Sequence, residues 1–326
     1  MATDPRLPAY LRQSSAEIKS KFIHLEWQQR ARLLHGREAP AAAAAAAADD
    51  HPSSSAPRFT RLTETAANTA RNRYGNVEPF ARNRIRLRVA DGLNDYINAS
   101  PIALQDRRYI ATQGPKNASV NHFYRMLVAE TASPVVVVML TPTHEAGREK
   151  CFPYYPLSPD QSPLLIPPDA DLPDGWQARV HLQSLAYDPT SRAEIRRLRL
   201  ETLADRAPPA PAPADHEIIH LLFAGWPDLL VPEGDDRAAL LELVRVSAAL
   251  SGAATGSPHP RVIHCSAGVG RSGAFIALDH LLHQLASGRL DGLDPARDPV
   301  AETVAALRVQ RMMMVQGEAQ FFFLYD

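Results

Sequence analysis

Cysteine is scarce in this sequence: there are two, Cys151 and Cys265, among 326 residues. Two cysteines cannot build the disulfide framework of a small secreted domain, so that class of protein is excluded. No run reaches the ~18 consecutive apolar residues of a membrane-spanning helix. The first ten residues, MATDPRLPAY, lack the apolar core of a signal peptide. The sequence therefore predicts neither a membrane span nor a secretory leader.

Surplus charge is also missing. The 35 Lys and Arg residues are balanced by 36 Asp and Glu residues, which leaves a net charge of −1. Proteins that bind nucleic acid through its phosphates need an excess of positive charge, so we expect no nucleic-acid partner. A hydrophobic content of 45% is ample for a core, and the length allows one large domain or two modest ones.

Proline, by contrast, is abundant, with 28 residues. Residues 39–57 hold an eight-alanine run followed by aspartate, proline and serine, a composition that cannot bury a core. Residues 156–176 and 207–215 are rich in proline and are expected to be surface loops. We predict one domain over residues 14–326, interrupted by the low-complexity insert and by these two loops.

Hydrophobic periodicity predicts alternating helices and strands along the chain. The predicted helices are 15–34 (ended by Gly36), 120–131, 237–251, 272–287 and 300–311. The predicted strands are 84–88, 108–112, 134–140, 178–186, 195–202 and 218–223. The run 134–140 is apolar throughout, which suits a central strand buried on both faces. We therefore expect an α/β fold, a single domain whose highly twisted mixed central β-sheet is flanked by α-helices.

The most informative stretch runs from Val262 to Gly273 and reads VIHCSAGVGRSG. An apolar strand ends at His264, a glycine-rich loop follows, and helical spacing of apolar residues begins after Ser272. A loop at a helix N-terminus directs backbone N–H groups inward at the positive end of the helix dipole. The pattern predicts a phosphate cradle with the thiol of Cys265 at its base and the guanidinium of Arg271 on its rim.

This setting predicts a reactive cysteine. A free thiol titrates near ~8.5. Inward N–H groups, a helix N-terminus and a nearby arginine lower that pKa into roughly the 3.5–7.5 range. Arg271 offers a planar fork for two phosphate oxygens, so the loop can align and neutralise a phosphoryl group without a metal. A buried cysteine beside a surface arginine is the alternative interpretation; a Walker-type nucleotide loop is disfavoured because no lysine precedes Ser272.

At this point the sequence resembles the cysteine-dependent, tyrosine-specific protein tyrosine phosphatases of the non-receptor type. Their signature HCxAGxGRS/T is matched by His264, Cys265, Ala267, Gly268, Gly270, Arg271 and Ser272. Further stretches resemble family motifs in the family's order: Asn72-Arg73-Tyr74, Asp95 to Ala99, Thr112 to Pro115, Trp226-Pro227-Asp228, Gln316 and Gln320. The resemblance covers most of the chain.

The resemblance implies a two-step reaction. The Cys265 thiolate attacks phosphorus while Asp228 protonates the departing phenol oxygen. Asp228 then acts as base for a water held by Gln316 and Gln320, which we expect to share one helix face because they are four residues apart. Ser272 assists departure of the thiolate.

The same resemblance implies the substrate-binding and supporting residues. The phosphate pocket would be lined by Ser266, Ala267, Gly268, Val269, Gly270, Arg271, Asp228 and Gln316. Tyr74 would stack on the substrate ring, and Asn76 stands where relatives often carry an aspartate that grips the substrate backbone. The implied supporting residues are His264, Trp226, Glu145 and Lys150. Glu145 would hold the cradle arginine, and Lys150 would lie near the loop that carries Asp228. Leu229-Leu230 replaces a pair that commonly includes glycine, so we expect slower or shifted closure of that loop.

The implied enzyme needs no metal or cofactor, acts on phosphotyrosine-containing proteins and is a monomer. A thiolate enzyme needs a reducing compartment, so we expect the cytoplasm or the nucleus. Two other functions stay open from the sequence: a non-catalytic phosphotyrosine-binding module on the same fold, and a broader phosphatase acting on phosphoserine or lipid head groups.

Overall fold

The computed structural model describes residues 7–37, 59, 65–203, 215–228, 230–252 and 259–326. The predicted insert 39–57 lies outside the described residues, as does all of 207–215 except Asp215. Within the described part of the chain, no helix is long and apolar enough to cross a membrane.

The described residues form one large sheet and a small hairpin. The strands are β1 (Ala99–Leu104), β2 (Arg107–Thr112), β3 (Val135–Met139), β4 (His144–Glu145), β5 (Arg148–Glu149), β6 (Leu164–Ile166), β7 (Ala178–Asp188), β8 (Ala193–Thr202), β9 (Asp215–Phe223) and β10 (Arg261–His264). Eight of them pair in the order β1-β2-β10-β3-β9-β8-β7-β6, and β4 pairs with β5. Strands β2, β10, β3 and β9 run parallel to one another, whereas the outer pairs are antiparallel.

Helices cover both faces of this sheet. They are α1 (Ser15–Arg37), α2 (Ala66–Arg71), α3 (Val120–Glu130), α4 (Asp235–Leu250), α5 (Gly270–Ala286), α6 (Pro299–Arg308) and α7 (Glu318–Phe323). Short 3₁₀ turns lie at Ala9–Leu11, Asn117–Ser119 and Pro159–Gln161. The mixed sheet with helices on both faces confirms the predicted α/β fold.

Strand β3 shows how the sequence specifies two cores. Its five residues are all buried, as the apolar run predicted. Because side chains alternate across a strand, Val136 and Val138 join the core beneath α5, whereas Val135 and Val137 join the core beneath α3. A strand buried on both faces lies at the centre of the sheet, next to the strand that leads into the predicted cradle.

The predicted strand 84–88 is wrong as a regular strand. Ile85 and Leu87 are buried, so the alternation is real. However, Ile85 donates its N–H to Ala99 and Leu87 donates its N–H to Asp95, and one isolated bridge joins Arg86 to Tyr96. The segment therefore pairs partly with Ala99 and partly with residues 95–96, and these contacts do not form a continuous strand pairing.

Two other boundaries differ from the prediction. Helix α1 continues through Gly36 to Arg37. The proline-rich stretch 156–176 is more than a surface loop, because it adds β6 to the edge of the sheet and buries Leu172 and Trp176.

The opposite edge strand, β1, is covered by side-chain amides. The amide oxygen of Gln310 accepts the Ala103 N–H at 2.7 Å, and its nitrogen donates to the Ala103 carbonyl at 3.0 Å. The amide of Asn83 donates to the carbonyl of Pro101 at 3.0 Å. Pro101 has no backbone N–H. The Pro101 carbonyl and both backbone groups of Ala103 therefore all have partners, and no donor at these two positions is left unpaired.

Candidate active site

The predicted cradle lies between β10 and α5, at the carboxyl end of a parallel strand. Gly268 has φ +72°, and a Cβ there would lie 2.0 Å from the carbonyl oxygen of Thr112. Only glycine fits a left-handed position this close to another backbone. The loop therefore turns tightly, and its Gly268 and Ser272 amides hydrogen-bond to the Cys265 sulfur.

Cys265 lies at the base of this loop and is 3% exposed. Burial by itself would raise the pKa of its thiol. The charge of Arg271 and hydrogen bonding from Ser272 and the Gly268 amide outweigh burial, so the pKa of Cys265 is lowered. The sulfur is therefore biased toward the thiolate, the form that attacks phosphorus.

The rim arginine is held by three groups. Nη1 of Arg271 donates to Oε1 of Glu145 at 2.5 Å and to the carbonyl of Trp226 at 2.9 Å, and Nη2 lies 3.3 Å from Oδ1 of Asp228. Arg271 is 3% exposed, so its orientation is set by these contacts. Glu145 comes from the β4–β5 hairpin and Trp226 from the loop after β9, so one guanidinium joins three parts of the chain.

The loop that carries Asp228 is anchored by its tryptophan. Trp226 is buried and donates its indole N–H to the carbonyl of Leu230 at 3.0 Å. Asp228 itself is 40% exposed and forms an ion pair with Lys150. Asp228, the predicted acid, is thus partly exposed and lies next to the cradle arginine. Leu229, the first residue of the Leu-Leu pair, lies outside the described residues.

Tyr74 lies beside the cradle. Its hydroxyl lies 2.8 Å from Oγ of Ser266, which in turn donates to the carbonyl of Lys150 at 2.8 Å. The preceding Arg73 donates to the carbonyls of Gly114 and Pro115, so the loop that carries Tyr74 is fixed to the segment that follows β2. Asn76, in the same loop, is exposed.

The two glutamines flank the cradle, but not from one helix face. Helix α7 begins at Glu318, so Gln316 precedes it and only Gln320 is helical. A Cβ on Gly270 would lie 3.1 Å from Oε1 of Gln320 and 3.6 Å from Cβ of Gln316. The helix-face expectation is wrong, because Gly317 caps the helix between them; both residues nevertheless lie beside the loop.

His264 and Ser272 complete the cradle behind the sulfur. Nδ1 of His264 lies 3.1 Å from the carbonyl oxygen of Cys265, and its Nε2 lies 2.7 Å from the hydroxyl of Tyr154. Burial lowers the pKa of His264 to about 4, so the ring is neutral at physiological pH. Ser272 is fully buried in the first turn of α5.

Two supporting residues escaped sequence reasoning. Tyr154 links His264 to His220, whose Nε2 lies 3.0 Å from the same hydroxyl. Arg311 is buried and donates to the carbonyls of Gly268 and Ala267 at 2.9 and 3.2 Å. An arginine directly before three methionines and a valine was the available signal, since a charge in an apolar run needs buried partners.

The site is organised around a thiol, a guanidinium and a carboxylic acid. Within the described ranges, no cluster of three or more histidine, cysteine, aspartate or glutamate residues has the arrangement of a metal site. An anion cradle at the end of a mixed α/β sheet, with a low-pKa cysteine at its base, defines the class of cysteine-dependent phosphatases.

Comparison with known proteins identifies the family. The model of the family described as protein-tyrosine phosphatase matches residues 68–326. Tyrosine-protein phosphatase 1 of Saccharomyces cerevisiae is 32% identical, over 98% of this chain and 95% of that protein. Human phosphatidylinositol phosphatase PTPRQ is 36% identical, over 84% of this chain but 11% of that protein.

Solved structures agree on the fold. The structure of PTPN18 in complex with HER2-pY1196 phosphopeptides has a TM-score of 0.72 at 23% identity and covers 95% of this chain and 91% of that chain. The chain belongs to the protein-tyrosine phosphatase family, and the enzyme class is that of a protein-tyrosine-phosphatase.

Proposed function

We propose that this protein hydrolyses phosphotyrosine in proteins through a phosphocysteine on Cys265, with Arg271 as phosphate clamp and Asp228 as general acid and base. The observation that carries the proposal is the lowered pKa of a buried cysteine whose loop also positions a buried arginine. These two groups supply what in-line phosphoryl transfer needs here, a charged nucleophile and a positive charge beside the equatorial phosphate oxygens.

In the first step, the Cys265 sulfur uses a lone pair to form a bond to phosphorus. The bond between phosphorus and the tyrosyl oxygen breaks, and that oxygen takes the proton of Asp228. The leaving group is a phenol of pKa near ~10, so proton donation lowers the barrier. Arg271 and the loop amides neutralise charge on the equatorial oxygens.

In the second step, Gln316 and Gln320 position a water molecule beside the phosphocysteine. Asp228, now ionised, accepts a proton as the water oxygen bonds to phosphorus. The bond between sulfur and phosphorus breaks, and Ser272 donates a hydrogen bond to the departing thiolate. Inorganic phosphate leaves, and both Cys265 and Asp228 return to their starting protonation states.

The substrate follows from the position of Tyr74. The hydroxyl of Tyr74 lies 2.8 Å from Oγ of Ser266, so its ring is held beside the cradle, which favours a flat aryl phosphate over a short aliphatic one. One solved relative, PTPN18, is described in complex with phosphopeptides. We infer that phosphotyrosine-containing proteins are the substrates, that Asn76 takes part in contacting their backbone, and that residues 14–326 act as one catalytic domain.

The setting of the enzyme is also part of the proposal. A catalytic thiolate is protected in a reducing compartment, so we place the protein in the cytoplasm or nucleus, in phosphotyrosine signalling, and as a monomer.

The experiment compares purified protein with its Cys265→Ser variant on matched phosphotyrosine and phosphoserine peptides and on a phosphoinositide. The proposal expects phosphate release from the phosphotyrosine peptide, at least a hundredfold preference over the other two, and complete loss in the serine variant. Equal rates on the phosphoserine peptide or the phosphoinositide would assign a broader phosphatase. Binding of the phosphotyrosine peptide without release by the unaltered protein would assign a binding module.

A further inference from the structure

The segment between α6 and α7 carries Gln316 and has an unusual backbone. Met313 has φ +59° and Val315 has φ +56°. A β-branched residue at positive φ is a conformational outlier, because its side chain crowds the backbone. Such a conformation persists only where surrounding contacts hold it, so the contacts on this segment determine where Gln316 lies.

The cradle holds the segment on one side. The N–H of Val315 donates to the carbonyl of Val269 at 3.1 Å. A Cβ on Gly273, in the first turn of α5, would lie 2.3 Å from that same nitrogen, so the two backbones are in direct contact. Any displacement of the segment therefore changes its fit against the cradle.

A buried arginine holds the segment from below. Arg308, at the end of α6, is fully buried and donates to the carbonyls of Met314 and Val315, each at 2.9 Å. Its Nη1 lies 2.8 Å from Oε1 of Glu26, which belongs to α1. The N-terminal helix thus contacts the segment through this arginine.

Helix α1 also contacts the segment directly. Oε1 of Gln29, a side chain only 5% exposed, accepts the N–H of Met313 at 2.7 Å. About two turns earlier on the same face, the ring of Phe22 packs 5.6 Å from the ring of Phe321, next to Gln320. Helix α1 lies outside residues 68–326 that match the family, yet it contacts both elements that carry the glutamines.

We infer that Gln29 is a positioning residue for hydrolysis of the phosphoenzyme, acting through Met313 on the placement of Gln316. The inference rests on the proposed function, in which Gln316 acts on water in the second step and not in the first. Without the amide oxygen of Gln29, the N–H of Met313 loses its acceptor beside a backbone already held out of its preferred conformation. Gln316 then shifts relative to the cradle, while Cys265, Arg271 and Asp228 keep their contacts.

The test is pre-steady-state release of nitrophenol from p-nitrophenyl phosphate by the full chain. Gln29→Met removes the acceptor but keeps the length of the side chain, and Gln29→Glu restores an acceptor. Gln28→Met is the matched control, because Gln28 contacts the ring of His24 on the exposed side of the same helix. Thermal unfolding of each variant is recorded in parallel.

We expect Gln29→Met to slow the second step by about threefold to tenfold, the effect of one lost hydrogen bond. The burst of nitrophenol grows, kcat and KM fall together, and kcat/KM is unchanged because it reports only the steps through phosphoryl transfer. Gln29→Glu should return the burst toward that of the unaltered protein, and Gln28→Met should leave it unchanged.

Two results would overturn the inference: an unchanged burst in Gln29→Met, or a fall in kcat/KM as large as that in kcat, which marks general damage to the site. If Gln29→Met does not fold, Glu26→Gln weakens the same support through Arg308 and must show the same enlarged burst. Failure of the proposed function is recognised separately, because the unaltered protein would then release no nitrophenol, or Cys265→Ser would release it equally well.

Discussion

Nη2 of Arg271 lies 3.3 Å from Oδ1 of Asp228, so the proposed phosphate clamp and the proposed acid contact each other directly. The same guanidinium also donates to Glu145 and to the carbonyl of Trp226. A substitution at either residue therefore changes the environment of the other, and each needs a control that separates chemistry from electrostatics.

Asp228→Ala should abolish acid catalysis while leaving phosphate recognition intact. We expect kcat to fall by about 10²–10⁴-fold, the usual contribution of a positioned acid. Binding of a phosphotyrosine peptide, measured by calorimetry, should be unchanged or tighter, because a negative charge beside the pocket is removed. Asp235→Ala is the control, since that side chain is 95% exposed on α4. A fall in kcat of less than threefold would remove Asp228 from its role.

The thiol of Cys265 should react as a thiolate at unusually low pH. Its pKa is lowered, so the charged form persists to a lower pH than in an ordinary cysteine, whose midpoint is near ~8.5. Alkylation by iodoacetamide, followed by mass spectrometry, should therefore show a midpoint below that value, and Arg271→Ala should move it upward.

Cys151 provides an internal reference in the same experiment. It is fully buried, and burial raises the pKa of its thiol, so it should stay unmodified across the same pH range. A midpoint for Cys265 at or above that of an ordinary thiol would contradict the proposed nucleophile.

Gly268→Ala should prevent the cradle from closing. The new Cβ would lie 2.0 Å from the carbonyl oxygen of Thr112, and φ is +72°. Gly292→Ala is a matched control, because φ there is +63° and nothing lies within 4 Å of the new atom. We expect Gly268→Ala to lower the unfolding free energy by roughly 1–3 kcal/mol more than the control, through steric overlap.

Denaturant unfolding measures the free energy of unfolding of these two glycine variants, and phosphatase assays measure their activity. Activity should be lost in Gly268→Ala and kept in Gly292→Ala. Equal stability and equal activity in both would show that the loop does not need this close approach.

Tyr74 should determine selectivity for aryl phosphates. Tyr74→Ala removes the ring beside the cradle, so kcat/KM for a phosphotyrosine peptide should fall toward that for a phosphoserine peptide. Tyr74→Phe keeps the ring and loses the hydroxyl contact to Ser266 at 2.8 Å, so we expect a change of about threefold to tenfold at most. If the two variants behave alike, the hydroxyl and not the ring sets the selectivity.

The cradle could be predicted from sequence because its parts are contiguous. A strand, a glycine-rich loop and a helix follow one another from Val262 onward, so local geometry alone brings the thiol and the arginine together. The same holds for β3, whose apolar run specifies burial on both faces. The local pattern also predicted the burial of Ile85 and Leu87. The strand predicted over residues 84–88 was wrong, because its hydrogen-bond partners depend on distant residues.

The residues that sequence reasoning missed reach the site across long separations. Arg311, three residues beyond the end of α6, donates to the Gly268 carbonyl across 43 positions of the chain. Tyr154 belongs to the core beneath α3 and reaches His264 across 110 positions. No spacing rule links such positions. The glutamine pair shows the same limit, since a four-residue interval predicts a shared helix face only if the helix includes both residues.

One side chain at the border of the sheet has a consequence for how molecules of this protein meet one another. Gln310 presents to Ala103 the same donor and acceptor that a neighbouring strand would present. A second chain approaching β1 finds these backbone groups already engaged, and beside them a proline that offers no hydrogen. Lateral growth of the sheet into a shared ribbon is thereby blocked at this side by the Gln310 amide, together with Asn83 and Pro101.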